Sequence, residues 1–146
     1  MPRVLIEEDG PYAGWKRWAN KADGRFPDTA LGSLYWRDGE DGQIIVAIDT
    51  ARRHTNPGDV LHGGFLMAFA DMALYAIAWR SFETARGATV SCNFEFLGPG
   101  KPGEPVLAEG EVMRETGKMV FVRAILKQEA GPILSVTGVL RKISAR

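Results

Sequence analysis

Fifteen residues, Phe65 to Trp79, are apolar throughout except for Asp71, and they follow directly on His62-Gly63-Gly64. No other stretch constrains the fold as strongly. Alanine, leucine and methionine dominate the run, and these residues propagate a helix well. The lead-in Asn56-Pro57-Gly58-Asp59 and the glycine pair have the character of a helix start. A helix apolar around its whole circumference must be buried on all sides. The run is too short to span a membrane, which takes about 20 apolar residues, and it carries a charge at its centre. The sequence therefore predicts a central buried helix bearing one carboxylate.

That carboxylate carries the functional question. An aspartate inside a protein is either paired with a polar neighbour or engaged in chemistry. The His-Gly-Gly start shifts the balance towards chemistry. Glycines at a helix N-terminus let a ligand reach backbone N–H groups that have no intrahelical acceptor. Those donors, with the positive end of the helix dipole, suit a developing oxyanion. Asp71 lies nine residues beyond His62, which in a helix is roughly 13 Å along the axis and about half a turn around it. One small reacting centre cannot touch both groups of one chain. If they share a site, one subunit supplies the helix start and another supplies Asp71, so a homodimer is expected.

With 146 residues, 45% of them hydrophobic, the chain has the size of a single domain with a sizeable core. Eighteen lysines and arginines balance eighteen aspartates and glutamates, so no global field recruits nucleic acid or a membrane surface. The lone Cys92 cannot form an internal disulfide and no signal-peptide pattern opens the chain, so a cytoplasmic location is expected. Cys92 sits in a strand-like stretch and reads as a packed core thiol. His54 and His62 are separated by Pro57 and Gly58 and do not have the spacing of a metal pair, so no metal is expected.

Residues 1–30 are punctuated by glycine and proline and read as an N-terminal extension of the domain. Trp15 and Trp18, three apart, suggest one face of a short helix over Tyr12–Ala22 that packs as a flap. Leu31–Arg37 and Gln43–Thr50 read as a hairpin through the Asp-Gly-Glu-Asp-Gly turn. Leu34 and Trp36 from one strand face Ile44, Val46 and Ile48 from the other. After the helix, Ala88–Leu97, Val106–Glu115, Met119–Glu129 and Ile133–Ile143 are rich in β-branched and aromatic residues and joined by short turns. In Ala88–Leu97, alternation places Thr89, Ser91 and Asn93 on one face and Val90, Cys92, Phe94 and Phe96 on the other. Two strands, one buried helix and four strands make an α+β domain with an antiparallel sheet curled around the helix.

This order resembles the hotdog fold. Asn56-Pro57, His62-Gly63-Gly64, Asp71 and the strand Thr89-Val90-Ser91-Cys92-Asn93-Phe94-Glu95-Phe96 look like the phenylacetate-degradation (PaaI-like) acyl-CoA thioesterases, over about residues 31–143. The resemblance implies an acyl-CoA thioesterase in which the Gly63 N–H polarises the thioester carbonyl. Asp71 of a partner subunit is then the base or nucleophile, Asn56 holds the water or the carbonyl, His62 braces the loop and Thr89 assists Asp71. Gly64 belongs to the same substrate-facing turn. The basic residues Arg52, Arg53 and Lys118 are candidates for the phosphates of coenzyme A, which is part of the substrate, so no separate cofactor is implied. A homotetramer, as a dimer of dimers, is the assembly the resemblance suggests. A hotdog dehydratase or hydratase, or a non-catalytic acyl-CoA-binding protein, is the competing reading. Retention of Asp71 and of the glycine pair favours hydrolysis.

Overall fold

The computed structural model describes residues 2–19 and 23–144. Eight strands form one antiparallel sheet: β1 (Val4–Ile6), β2 (Lys16–Trp18), β3 (Leu34–Asp38), β4 (Ile44–Ile48), β5 (Arg86–Phe96), β6 (Val106–Glu115), β7 (Met119–Gln128) and β8 (Gly131–Ile143). Their spatial order is β1-β2-β3-β4-β6-β7-β8-β5. The one α-helix among the described residues, α1 (Gly63–Ile77), lies against the inner face and packs on strands from β3 to β8. This is the hotdog arrangement expected from the sequence.

The sheet reads as it does because one face of each strand is apolar. Leu34, Trp36, Ile44, Val46 and Ile48 are all buried, as alternation requires. The β3–β4 hairpin closes through Asp41 (φ 53°) and Gly42 (φ 75°), left-handed positions that suit aspartate and glycine. Helix and sheet approach so closely at Gly110 on β6 that a Cβ there would overlap the Arg123 carbonyl oxygen on β7 and press on Ile77 of the helix.

Two expectations need correction. Residues around Trp15 and Trp18 are not helical. Gly10 (φ 79°) and Gly14 (φ 87°) turn the chain, Glu7 N–H donates to the Trp15 carbonyl at 2.8 Å, and β1 and β2 pair. Extended backbone sends Trp15 and Trp18 to opposite faces. Trp18 packs inside on Trp36, with centroids 4.7 Å apart, whereas Trp15 meets Tyr12 and Arg37 on the outer face. The expected helix also ran onto residues 20–22, which lie outside the described residues.

The second correction concerns α1. It is not buried on all sides in the single chain. Phe65, Leu66, Phe69, Ala70, Ala73, Leu74 and Ile77 face the sheet, but Met67 is 37% exposed, and Ala68, Asp71, Met72 and Tyr75 are half-buried. That open face runs beside β5, which among the described residues pairs only with β8 and forms the edge of the sheet.

Candidate active site

The loop before α1 is held by its own backbone. Asn56 N–H donates to the Val60 carbonyl (2.9 Å) and Asp59 N–H to the Asn56 carbonyl (3.0 Å). The Asn56 side-chain Oδ1 accepts from Gly58 N–H at 2.8 Å, a local turn in which Asp59 takes φ 61°. Leu61 N–H then donates to the Gly100 carbonyl (2.9 Å) and His62 N–H to the His54 carbonyl (2.8 Å), which fixes where the helix begins. His62 is the N-cap: its Nδ1 accepts the Gly64 N–H at 2.8 Å. A ring nitrogen here does the work usually given to a serine or aspartate oxygen.

This leaves Gly63. Among the described residues its N–H makes no hydrogen bond. Its φ is not positive, so the backbone conformation does not require glycine. A glycine in a helix costs about 1 kcal/mol relative to alanine, and here it keeps space open beside a free donor. A Cβ at Gly63 would come within 3.2 Å of the exposed Phe96 ring. At Gly64 the reason is different, since a Cβ there would press on the capping His62 ring at 3.0 Å.

Two turns further along α1, Asp71 Oδ1 accepts a hydrogen bond from Thr89 Oγ1 at 2.7 Å. Strict alternation from Cys92 and Phe94 would have turned Thr89 away. A β-bulge corrects that expectation: Thr89 lies opposite Leu140 and Ser91 opposite Val139, so Val90 is the extra residue. The bulge resets the pleat and puts Thr89 on the face of Cys92 and Phe94, towards the helix. Asp71 Oδ2 accepts no hydrogen bond among the described residues and remains available. The Cys92 sulfur lies 4.0 Å from Asp71 Oδ1. Burial, with the nearby Asp71 charge adding to it, pushes the Cys92 thiol up to about 11. It is therefore a neutral thiol, not a nucleophile.

The family model of the thioesterase superfamily matches residues 58–134, just over half of the chain and inclusive of both groups described above. The chain belongs to the thioesterase superfamily. It is a thioester hydrolase by family. This thioesterase is 23% identical over 103 residues to human acyl-coenzyme A thioesterase 13, which covers 70% of the chain and 74% of that protein. Its fold is shared with the Escherichia coli PaaI protein of the phenylacetic acid degradation operon (TM-score 0.69, 18% identity, 84% of this chain and 88% of that one). It is shared also with a hypothetical thioesterase protein of Streptococcus pneumoniae solved with coenzyme A (TM-score 0.64, 16% identity, 77% and 90%).

The remaining residues singled out in the sequence fall at two ends of the thioesterase helix. Arg52 and Arg53 are exposed on a short 3-10 turn, Arg52–His54, beside the start of α1. His54, on the same turn, is a core residue. It stacks on Phe65 at 4.1 Å, its Nδ1 accepts from Ala51 N–H and its Nε2 meets the Ala30 carbonyl. Lys118 lies at the opposite end. Its carbonyl accepts from Lys142 N–H, and Lys142 pairs with Gly87, which Tyr75 abuts. Within one chain, Arg52 and Arg53 thus stand near the start of α1 and Lys118 near its other end.

Two neighbours of the site were missed in the sequence. Phe96 covers the Gly63 side of the helix start, and only the strand alternation hinted at its direction. Tyr75 places its hydroxyl 3.1 Å from Thr89 Oγ1. It stands four residues after Asp71, a spacing that puts both on one helix face.

Proposed function

We propose that this thioesterase hydrolyses acyl-coenzyme A to the free acid and coenzyme A, in a site completed by two copies of the chain. The observation that carries the reading is the pair of unspent groups on one helix, the Gly63 N–H at its start and Asp71 Oδ2 at its middle. Eight residues separate them, about 12 Å along the axis, too far for one reaction centre in one chain. A two-fold dimer gives each site one of each.

Thioester hydrolysis needs an activated water and a home for the negative charge that develops on the carbonyl oxygen. The Gly63 N–H at the positive helix end serves the oxyanion. Asp71 Oδ2 either takes the proton of the attacking water or attacks the carbonyl itself, while Thr89 holds Oδ1. Collapse of the tetrahedral species breaks the C–S bond and releases the coenzyme A thiolate. Attack by water gives the free acid directly. Attack by Asp71 gives a mixed anhydride that a water molecule then hydrolyses, releasing the acid and restoring the carboxylate. The Asn56 Oδ1 is committed to its own turn, so its part in holding water or carbonyl falls to the side-chain amide N–H groups. His62 acts on the site by capping the helix. Arg52 and Arg53, beside the helix start, meet the coenzyme A phosphates. For Lys118 to join them it comes from the same subunit as Asp71. Pairing two such dimers into a tetramer completes the proposed assembly.

The test is thiol release across short, medium and long straight-chain and aryl acyl-CoA substrates, with Asp71→Asn alongside. That variant keeps the shape and removes the base or nucleophile, so kcat falls at least about 10²-fold with KM little changed. Turnover equal to the parent in a folded Asp71→Asn protein refutes the assignment.

A further inference from the structure

We propose that Tyr75 is a positioning residue of this site, its hydroxyl fixing the direction in which Thr89 points its own hydroxyl at Asp71. The inference rests on the reading of Asp71 as the hydrolytic carboxylate and extends it by one residue.

Proton accounting carries the argument. An ionised Asp71 can only accept hydrogen bonds, and the Thr89 hydroxyl has a single proton to give. That proton is spent on Asp71 Oδ1 at 2.7 Å. The 3.1 Å contact between Tyr75 and Thr89 then works in one sense only, with the Tyr75 O–H donating to a Thr89 lone pair. The chain of donors runs Tyr75 to Thr89 to Asp71. Burial raises the Tyr75 phenol above its ordinary value; the Thr89 contact acts the other way, and the Asp71 charge reinforces the rise. The phenol thus stays protonated and remains a donor throughout the neutral range.

The ring is also held in place. Tyr75 is one turn beyond Asp71 on the same helix face. Its edge lies against Gly87, where a Cβ would come within 2.5 Å of Tyr75 Cε1. Phe82 closes the other side with centroids 5.2 Å apart. Thr89 is less enclosed, since its side chain is exposed and it stands beside the bulged Val90 of an edge strand. A threonine hydroxyl turns freely among staggered positions unless a partner selects one. Asp71 is one such partner, and Tyr75, donating to a Thr89 lone pair, is the second, which reinforces the orientation aimed at Asp71.

Tyr75→Phe keeps the ring and removes one O–H. With the best substrate of the acyl-CoA panel, kcat should fall about 3- to 10-fold, the scale of one net hydrogen bond, at unchanged KM and melting temperature. The discriminating readout is the cycle with Thr89→Val, which removes the hydroxyl while keeping the side-chain shape. If Tyr75 acts through Thr89, Tyr75→Phe has no further effect on kcat in the Thr89→Val background. Thr89→Ser should restore the dependence on Tyr75. An unchanged kcat in Tyr75→Phe, or a loss that persists at full size in Thr89→Val, overturns the proposal. Should Tyr75→Phe unfold, Tyr75 is a packing residue and the proposal is equally overturned. An inactive Asp71→Asn beside a fully active Tyr75→Phe refutes Tyr75 alone, whereas an active Asp71→Asn removes the reading beneath it.

Discussion

Two inactive variants of this thioesterase should regain activity when mixed. Asp71→Asn lacks the carboxylate proposed as base or nucleophile. Gly63→Val lacks a clear approach to the oxyanion donor, because its Cβ would already stand 3.2 Å from the Phe96 ring and its branches extend into the space the carbonyl must enter. Each alone should retain at most about one hundredth of parental kcat, the scale of losing general base assistance or one oxyanion donor. In a shared site, a mixed dimer holds one site with both defects and one with neither. Equal amounts, fully exchanged, give about half mixed dimers, each with one working site of two. Turnover per chain should therefore recover to about a quarter of the parent, well over tenfold above either variant. The assay is thiol release after mild dissociation and reassociation, with exchange verified by native mass spectrometry of a size-tagged partner. Verified exchange without recovery refutes the shared site, and so does a fully active monomer.

Two further outcomes concern stability. The charged form of His54 is disfavoured by burial and then by the Arg53 charge, so its pKa is lowered. The unfolded chain then binds the extra proton first, and stability present above about pH 6.5 should decline as pH falls through that value and below. Urea midpoints from pH 7.5 to 5 should drop in the parent and change less in His54→Asn; equal slopes would refute this. Gly110→Ala forces a methyl group against the Arg123 carbonyl oxygen, and overpacking of that kind costs about 1–3 kcal/mol. The melting temperature should fall on the order of 5 °C, and an unchanged value would show that β6 and β7 are not so closely apposed.

What could be read from the sequence followed from one-sided burial. Val106–Glu115 coincides with β6 because alternate residues Val106, Ala108 and Gly110 face the helix. The central helix was legible because a fifteen-residue run, apolar at every position but Asp71, has no other use in a chain of this size. The first two strands were not, since three residues each cannot display a period and Trp15 and Trp18 mimic a helical one. Nothing in Thr89-Val90-Ser91 announces a bulge. A one-residue insertion into a ladder is set by partner-strand pairing, and it reverses the facing of every residue on one side of it. Tyr75 was within reach of the i, i+4 rule, but its aromatic ring was counted with the apolar run.

The bulge and the edge belong to one arrangement. β5 is eleven residues long and has a free edge, with Val90 57% and Phe96 55% exposed, a liability for a lone chain. A second copy pairing antiparallel along β5 removes it. Within one chain Phe96 marks the position of Gly63, and Thr89 marks that of Asp71. If the two-fold axis passes at Asn93, with Val90 bulged out of the ladder, Phe96 of each copy stands opposite Thr89 of the other. The same pairing that covers the edge would then carry each free Gly63 donor towards its partner's Asp71. Without the bulge at Val90, Thr89 would point away from the helix at that position, and in the proposed dimer the paired edge would bring an unsupported carboxylate to the proposed oxyanion donor.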